Sequence, residues 1–552
     1  MLSVFLFVLL ATTVGASPVV DTFYGPVKGF EYGMSNGDTA NIFLGIPFAK
    51  PPVGDLRFEK PKKLDKWSDV KEAKNFGLSC QPHHRSFMFG RPEMYGEDCL
   101  TLNVMAPAKK SSDPDGYPVF VFIYGGAFEL GSSALYGYKN ISENFVSEGI
   151  VFVTLNYRLS AFGFFSTGDH HMPGNLGLWD QTAALHFIQE VISQFGGNPK
   201  KVTISGESAG AASVSALTHS FHSNKLFHQA IAMSGSINSP WAESQRVVNV
   251  SKELANVLGC DGESKDILFC MKTKSVDDIL DGIEKIGAVH EHLFPYKFHP
   301  RCDDEFLPYD LETLLKEAPP IPFITGVTDT EGGLMSQGNN MPELAKIGID
   351  PDKWHSFSAK EFKKFISEKA LLADDPNELA EKLVEFYVER PIEGKEKMEW
   401  KDYLERFTTM GSDLHYVFPM YKEAMAKISH NVPVYLYVEE YHNPEPQANL
   451  PIKGAYHGNE LFYLFATTFL PTFEMTDQDR AFQMNLLEAF VTFVKTGKPT
   501  VNNKSWNPAT NDHPDRFMSF APESQMKDGF MKESIAFWKE SMAKKSAPHS
   551  EL

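Results

Sequence analysis

Cysteine is scarce, with five in 552 residues. So few bridges cannot hold a chain of this length, and the fold must rest on a buried core. The 42% of residues that are hydrophobic are enough to build one. Positive charge is also short: 52 Lys and Arg face 71 Asp and Glu, for a formal charge of −19. That balance argues against nucleic acid or an anionic membrane surface as partner. Beyond the N-terminus no apolar run approaches a membrane span, so no transmembrane anchor is expected. Internal repeats and low-complexity linkers are absent too, which gives no seam at which to divide the chain.

What is present begins with a leader. Residues 1–16 are rich in Leu, Val and Phe and end in the small residues Val14-Gly15-Ala16-Ser17. This pattern reads as a secretory signal peptide. Five cysteines fit that route, although the sequence leaves their pairing open. Three N-x-S/T tripeptides, at Asn140, Asn249 and Asn503, agree with a glycosylated lumenal or extracellular chain. In the tail, residues 546–552, the last four are His549-Ser550-Glu551-Leu552. They resemble the KDEL/HDEL address of the endoplasmic reticulum, with Ser550 in place of the usual Asp. Retention in the lumen and plain secretion are the two expected destinations.

Strand-like and helix-like runs alternate. Residues 118–124, 149–155, 201–205, 321–327 and 432–438 read as buried strands, and 178–195 as a helix with apolar residues at helical spacing. Continuous apolar strands separated by helices predict a mainly parallel sheet covered on both faces. Ligands then bind beyond the C-terminal strand ends. Residues 340–430 are charged and helix-rich, and read as an insertion or cap around the site entrance. The segment at Phe537-Trp538 can pack on its own domain or on a partner, so oligomeric state is not readable.

One strand end carries Gly206-Glu207-Ser208-Ala209-Gly210, a G-x-S-x-G pattern followed by the small residues of a helix. A strand, tight turn and helix in that order lift a serine hydroxyl above the sheet, with free helix N–H groups beside it. Attack by that serine needs a base, an acid to orient the base, and donors for the oxyanion. Gly125-Gly126-Ala127-Phe128 follows an earlier strand and can supply donors, together with the N–H of Ala209. His457, in a small-residue loop after a late strand, is the candidate base. Asp329 and Glu331, after the strand at 321–327, are both candidates for the acid.

Together with Phe43-Leu44-Gly45-Ile46-Pro47-Phe48-Ala49, Gly96-Glu97-Asp98-Cys99-Leu100-Thr101-Leu102-Asn103, Asn175-Leu176-Gly177-Leu178-Trp179-Asp180-Gln181 and Ser234-Gly235-Ser236, these motifs resemble the type-B carboxylesterase/cholinesterase family of α/β-hydrolases. The resemblance spans nearly the whole chain after the leader. It implies one α/β-hydrolase domain over residues 17–545: a large, mostly parallel sheet covered by helices, with a helical cap. It selects Glu331 as the acid, because Gly326 to Gly332 matches the family's G-x-N-x-x-E-G pattern. It implies disulfides Cys80–Cys99 and Cys260–Cys270, and oxyanion donors at Gly126, Ala127 and Ala209. It also implies cleavage of small-molecule carboxylic esters through an acyl-enzyme on Ser208, with no metal or organic cofactor. Trp241, Phe294, Tyr296 and Phe298 are candidates for the acyl pocket.

Two departures stand out. Ala127 occupies a position where the family usually has a third glycine. Between Cys80 and Cys99 there is no Trp to face a quaternary ammonium, which favours a general carboxylesterase over a cholinesterase. A lipid esterase is a further alternative. A neuroligin-like adhesion protein, which keeps the fold without the serine, fits poorly with Ser208, Glu331 and His457 all in place.

Overall fold

Among the described residues, continuous apolar runs such as those at 119–123 and 151–155 become buried strands. In a computed structural model, which describes residues 17–85, 88, 91–287, 296–336, 348–369, 376–468 and 470–543, eleven strands share one sheet. They are β1 (Phe30–Gly33), β2 (Thr39–Pro47), β3 (Thr101–Pro107), β4 (Tyr117–Ile123), β5 (Val151–Leu155), β6 (Gly197–Glu207), β7 (Gln229–Met233), β8 (Phe323–Thr328), β9 (Val434–Glu439), β10 (Phe517–Phe520) and β11 (Gln525–Lys527). Their spatial order is β11-β10-β9-β8-β7-β6-β4-β5-β3-β2-β1. The block from β10 to β5 is parallel throughout. Antiparallel strands flank it, with β3, β2 and β1 on one side and β11 on the other. Every residue of β5, β7, β8 and β9 is buried, as parallel strands under helices require.

Helices α1 (Leu176–Val191) and α2 (Ala209–His219) follow the central strands. All of α2 is buried, and its Ala- and Ser-rich sequence lets it lie close against the sheet. The segment expected to be helical contains α3 (Ala359–Lys369), α4 (Pro376–Leu383), α5 (Trp400–Ser412) and α6 (Phe418–Ser429). Phe362, Phe365, Leu404, Phe407 and Met410 form an apolar cluster apart from the main core. Trp538, on the later helix α7 (Lys532–Ala543), completes that cluster. Its indole donates to the Tyr387 hydroxyl (3.0 Å), and Phe537 stacks on Phe386 (4.1 Å). The Phe537-Trp538 segment therefore packs on its own chain. Phe418 touches both clusters.

The disulfides are Cys80–Cys99 and Cys260–Cys270, with Cys302 free. Among the described residues no helix is long and apolar enough to cross a membrane. The leader at 1–16, the terminal His549-Ser550-Glu551-Leu552 and Phe294 lie outside the described residues.

Candidate active site

Ser208 sits where β6 turns into α2, beyond the C-terminal edge of the parallel strands. Its backbone is at φ 58° and ψ −122°. L-residues avoid this region, so the surrounding structure must hold the serine there. Its N–H donates to the Met233 carbonyl at the end of β7 (2.9 Å). A Cβ at Gly206 would run into the backbone of Gly210, and one at Gly210 into the Ile123 carbonyl. Both glycines are thus required by the close approach of the turn to β4.

His457 and Glu331 come from loops beyond β9 and β8. The imidazole Nδ1 lies 2.6 Å from Oε2 of Glu331. Glu331 is fully buried, and its Oε1 accepts the Ser234 hydroxyl (2.6 Å) and the Thr328 N–H (2.7 Å). Asp329 is turned elsewhere: its Oδ1 accepts the Ala455 N–H and the Thr330 hydroxyl, each at 2.8 Å. It braces the histidine loop without touching the ring. On the far side of the ring, Nε2 lies 3.2 Å from Oε1 of Glu207, the residue before the serine. Among the described residues no hydrogen bond joins Nε2 to the Ser208 hydroxyl.

Gly126 and Ala127 follow β4, and Ala209 opens α2. Gly126, Ala127 and Phe128 all have positive φ, at 116°, 58° and 61°. The Gly126 carbonyl accepts the N–H groups of Glu129 and Leu130 (2.9 Å each), which closes the turn. Among the described residues, the N–H groups of Gly126, Ala127 and Ala209 donate to no other group. Unpaired donors at a helix start and in a tight loop are suited to receive an oxyanion.

The charge around His457 was not foreseen from sequence. Burial alone would lower its pKa, but the carboxylates of Glu207, Glu331 and Glu460 outweigh it and raise it to about 9. Desolvation pushes Glu207 up to about 8, and Glu460 to about 7 with Glu331 adding to the rise. Glu439 is raised as well, by burial and then by Glu460. Glu460 accepts the Tyr437 hydroxyl (2.9 Å), and Asn459 donates to Glu439. Glu207 stands inside the pentapeptide and Glu460 three residues after the histidine. Nothing local showed that they converge.

Tyr416, also unforeseen, covers the imidazole, with ring centres 4.4 Å apart. Trp241 packs on Tyr416 at 6.0 Å and Tyr296 edge-on to Trp241 at 6.4 Å, so two of the expected acyl-pocket residues join one aromatic wall leading to His457. Phe298 is fully buried against the His83 ring (5.7 Å). Of the glycosylation candidates, Asn140 is exposed but donates its amide to the Phe465 carbonyl (3.3 Å). Asn249 lies on the exposed face of a helix, and Asn503 in an exposed hairpin turn.

The carboxylesterase family profile matches residues 16–538. Gut esterase 1 of Caenorhabditis briggsae is 35% identical over 534 residues, covering 95% of this chain and 92% of that protein. Carboxylesterase 1D of Rattus norvegicus is 30% identical over 575 residues, covering 99% and 97%. Acylcarnitine hydrolase of Mus musculus is 30% identical over 544 residues, covering 96% and 92%. The chain belongs to the carboxylesterase family, has its α/β-hydrolase fold, and is a carboxylic ester hydrolase.

Proposed function

We propose that the protein cleaves small-molecule carboxylic esters by a double displacement on Ser208. His457 takes the hydroxyl proton as Ser208 attacks the carbonyl carbon. The N–H groups of Gly126, Ala127 and Ala209 hold the resulting oxyanion. The imidazolium, oriented and stabilised by Glu331, gives its proton to the leaving alcohol. Water, activated by the same imidazole, then releases the acid and restores the serine. No step calls on a metal or organic cofactor. The observation that carries this reading is the 2.6 Å contact of His457 Nδ1 with buried Glu331, beside a serine held on a positive-φ turn at a helix start. Substrate entry has only to bring Nε2 into register with the hydroxyl, a contact that commonly tightens on binding.

Hydrolysis of p-nitrophenyl acyl esters tests it. Ser208→Ala is expected to lose at least about 10³-fold in kcat. An inactive wild type, or a Ser208→Ala variant that keeps its activity, would sink the mechanism. Comparing acetyl, butyryl and longer acyl chains then defines the preferred acyl group.

The same reading places residues 17–545 in one catalytic domain that enters the secretory pathway after loss of residues 1–16. Two disulfides fit an oxidising compartment. Asn249 and Asn503 are the expected glycan sites. The terminal His549-Ser550-Glu551-Leu552 acts as a retention address, and deleting it should raise the secreted fraction. An unchanged distribution between cells and medium would refute the address.

A further inference from the structure

We propose that Glu129 is a positioning residue for the acyl side of the site: its carboxyl group fastens the oxyanion loop to the segment that carries Tyr296. This rests on the catalytic reading above. Glu129 follows Phe128 in the loop that holds Gly126 and Ala127, and its side chain is 1% exposed. A carboxyl group buried at that depth is costly unless it makes hydrogen bonds. Its Oε1 accepts the backbone N–H groups of Lys297 (2.8 Å) and Phe298 (3.1 Å). The Lys297 ammonium is turned away, to the Ile286 carbonyl (2.6 Å), so the link runs through the backbone of 297 and 298.

The main chain of the loop is held as well. The His83 N–H donates to the Glu129 carbonyl and the Ser160 N–H to the Phe128 carbonyl, each at 2.7 Å. His83 Nδ1 meets the Ser160 hydroxyl at 2.8 Å and lies 3.8 Å from Oε1 of Glu129. These contacts hold residues whose backbone would not stay put unaided. Ala127 and Phe128 both have positive φ, where side-chain-bearing residues are strained. The segment on the other side of the Glu129 bonds carries Tyr296, which is edge-on to Trp241 in the wall that leads to His457. One buried carboxyl group therefore sets the spacing between the expected oxyanion donors and the expected acyl wall. Displacing such groups by about 1 Å can cost about 10²-fold in rate.

The test uses the whole enzyme with Ser208, His457 and Glu331 intact. Burial pushes the Glu129 carboxyl up to about 8, so the acceptor oxygen rather than a charge makes the link. Glu129→Leu removes that acceptor, Glu129→Gln keeps it, and Glu129→Asp keeps a carboxyl that falls one methylene short. Active serines are counted with a stoichiometric phosphonylating reagent, so turnover is expressed per competent site. For Glu129→Leu, kcat per site should fall about tenfold or more, and the ratio of kcat/KM for p-nitrophenyl hexanoate to that for the acetate should drop at least about threefold. Glu129→Gln should recover most of both. Wild-type turnover per site and an unchanged hexanoate-to-acetate ratio in Glu129→Leu overturn the proposal, even if that variant melts earlier. Loss in Glu129→Gln as deep as in Glu129→Leu also overturns it. If Glu129→Leu does not fold, the other two decide: an impaired Asp variant beside a recovered Gln variant supports the link, and the reverse refutes it. Failure of the catalytic reading itself appears elsewhere, as activity that survives Ser208→Ala.

Discussion

Replacing Glu207 with Gln should shift the pH at which the enzyme switches on. The carboxylate sits 3.2 Å from His457 Nε2. At an effective dielectric of about 20, that attraction is about 5 kcal/mol for a fully ionised pair. It would equal nearly four pKa units at about 1.4 kcal/mol each. Burial pushes Glu207 itself up to about 8, so it is only partly ionised over the range in which the imidazole titrates. The net shift expected is therefore about one to two units. His457, held at about 9 in the wild type, should fall toward an ordinary value while Gln keeps the volume of the side chain. A general base works only when neutral, so the acid limb of kcat/KM should move to lower pH by that amount. A short p-nitrophenyl ester, followed in steps from below pH 6 to above pH 9, reads this directly. An acid limb that stays put, or moves upward, refutes the electrostatic reasoning. Stability carries a linked signature. A ring whose folded pKa is raised contributes stability that is complete below its unfolded value, near ~6.5, and is lost as pH rises through about 9. Glu207 has the same sign, since its raised carboxyl favours the protonated folded state. The histidine contribution should be lost between ~6.5 and about 9 and the Glu207 contribution between ~4.3 and about 8, and Glu207→Gln should flatten the decline in urea titrations.

Ala127→Gly relieves a non-glycine residue at φ 58° but frees the unfolded chain. These terms, roughly 1–2 and 0.5–1 kcal/mol, nearly offset, so stability should change by about 1 kcal/mol or less. Activity on branched acyl esters should rise relative to acetate, and an unchanged acyl preference would show that the methyl faces away from the acyl group. Removing the Cys260–Cys270 bridge as Cys260→Ser with Cys270→Ser opens a loop with a sequence separation of 10. Chain entropy sets the cost at about 3 kcal/mol, measured by denaturant unfolding. A loss well under 1 kcal/mol would indicate that the unfolded chain is already constrained there.

The sheet was legible where strands are buried on both faces, because such strands are written as unbroken apolar runs such as Val119 to Ile123. The antiparallel flank was not. Strand β1 alternates between half-buried and exposed residues, and β2 mixes buried with half-buried ones, so neither stands out as a run. The serine turn was legible because the glycines that permit it are adjacent in sequence. The acid was not readable from the residues alone, since Asp329 and Glu331 share one loop. What separates them is the Ala455 N–H, more than a hundred residues later, which engages Asp329. The crowding of carboxylates at His457 had no sequence signal either. Residues 207, 331, 439 and 460 meet only because parallel strands bring their C-terminal ends to one edge. Phe298 and Tyr296 are both candidates for the acyl pocket, and nothing local distinguishes Tyr296, which packs on Trp241, from Phe298, whose ring lies against His83.

Trp538 gives the insertion a late appointment. Its partner Tyr387 precedes it by 151 residues. The helices of the insertion are made long before the side chain that completes their apolar cluster. Their inner faces must wait through the synthesis of β9 and β10, exposed to any other apolar surface in reach. The main sheet can assemble its central strands in that interval, while the insertion cannot finish. A nascent chain stalled between β10 and α7 is thus expected to be protease-resistant at its centre and to be cut first within residues 359–412.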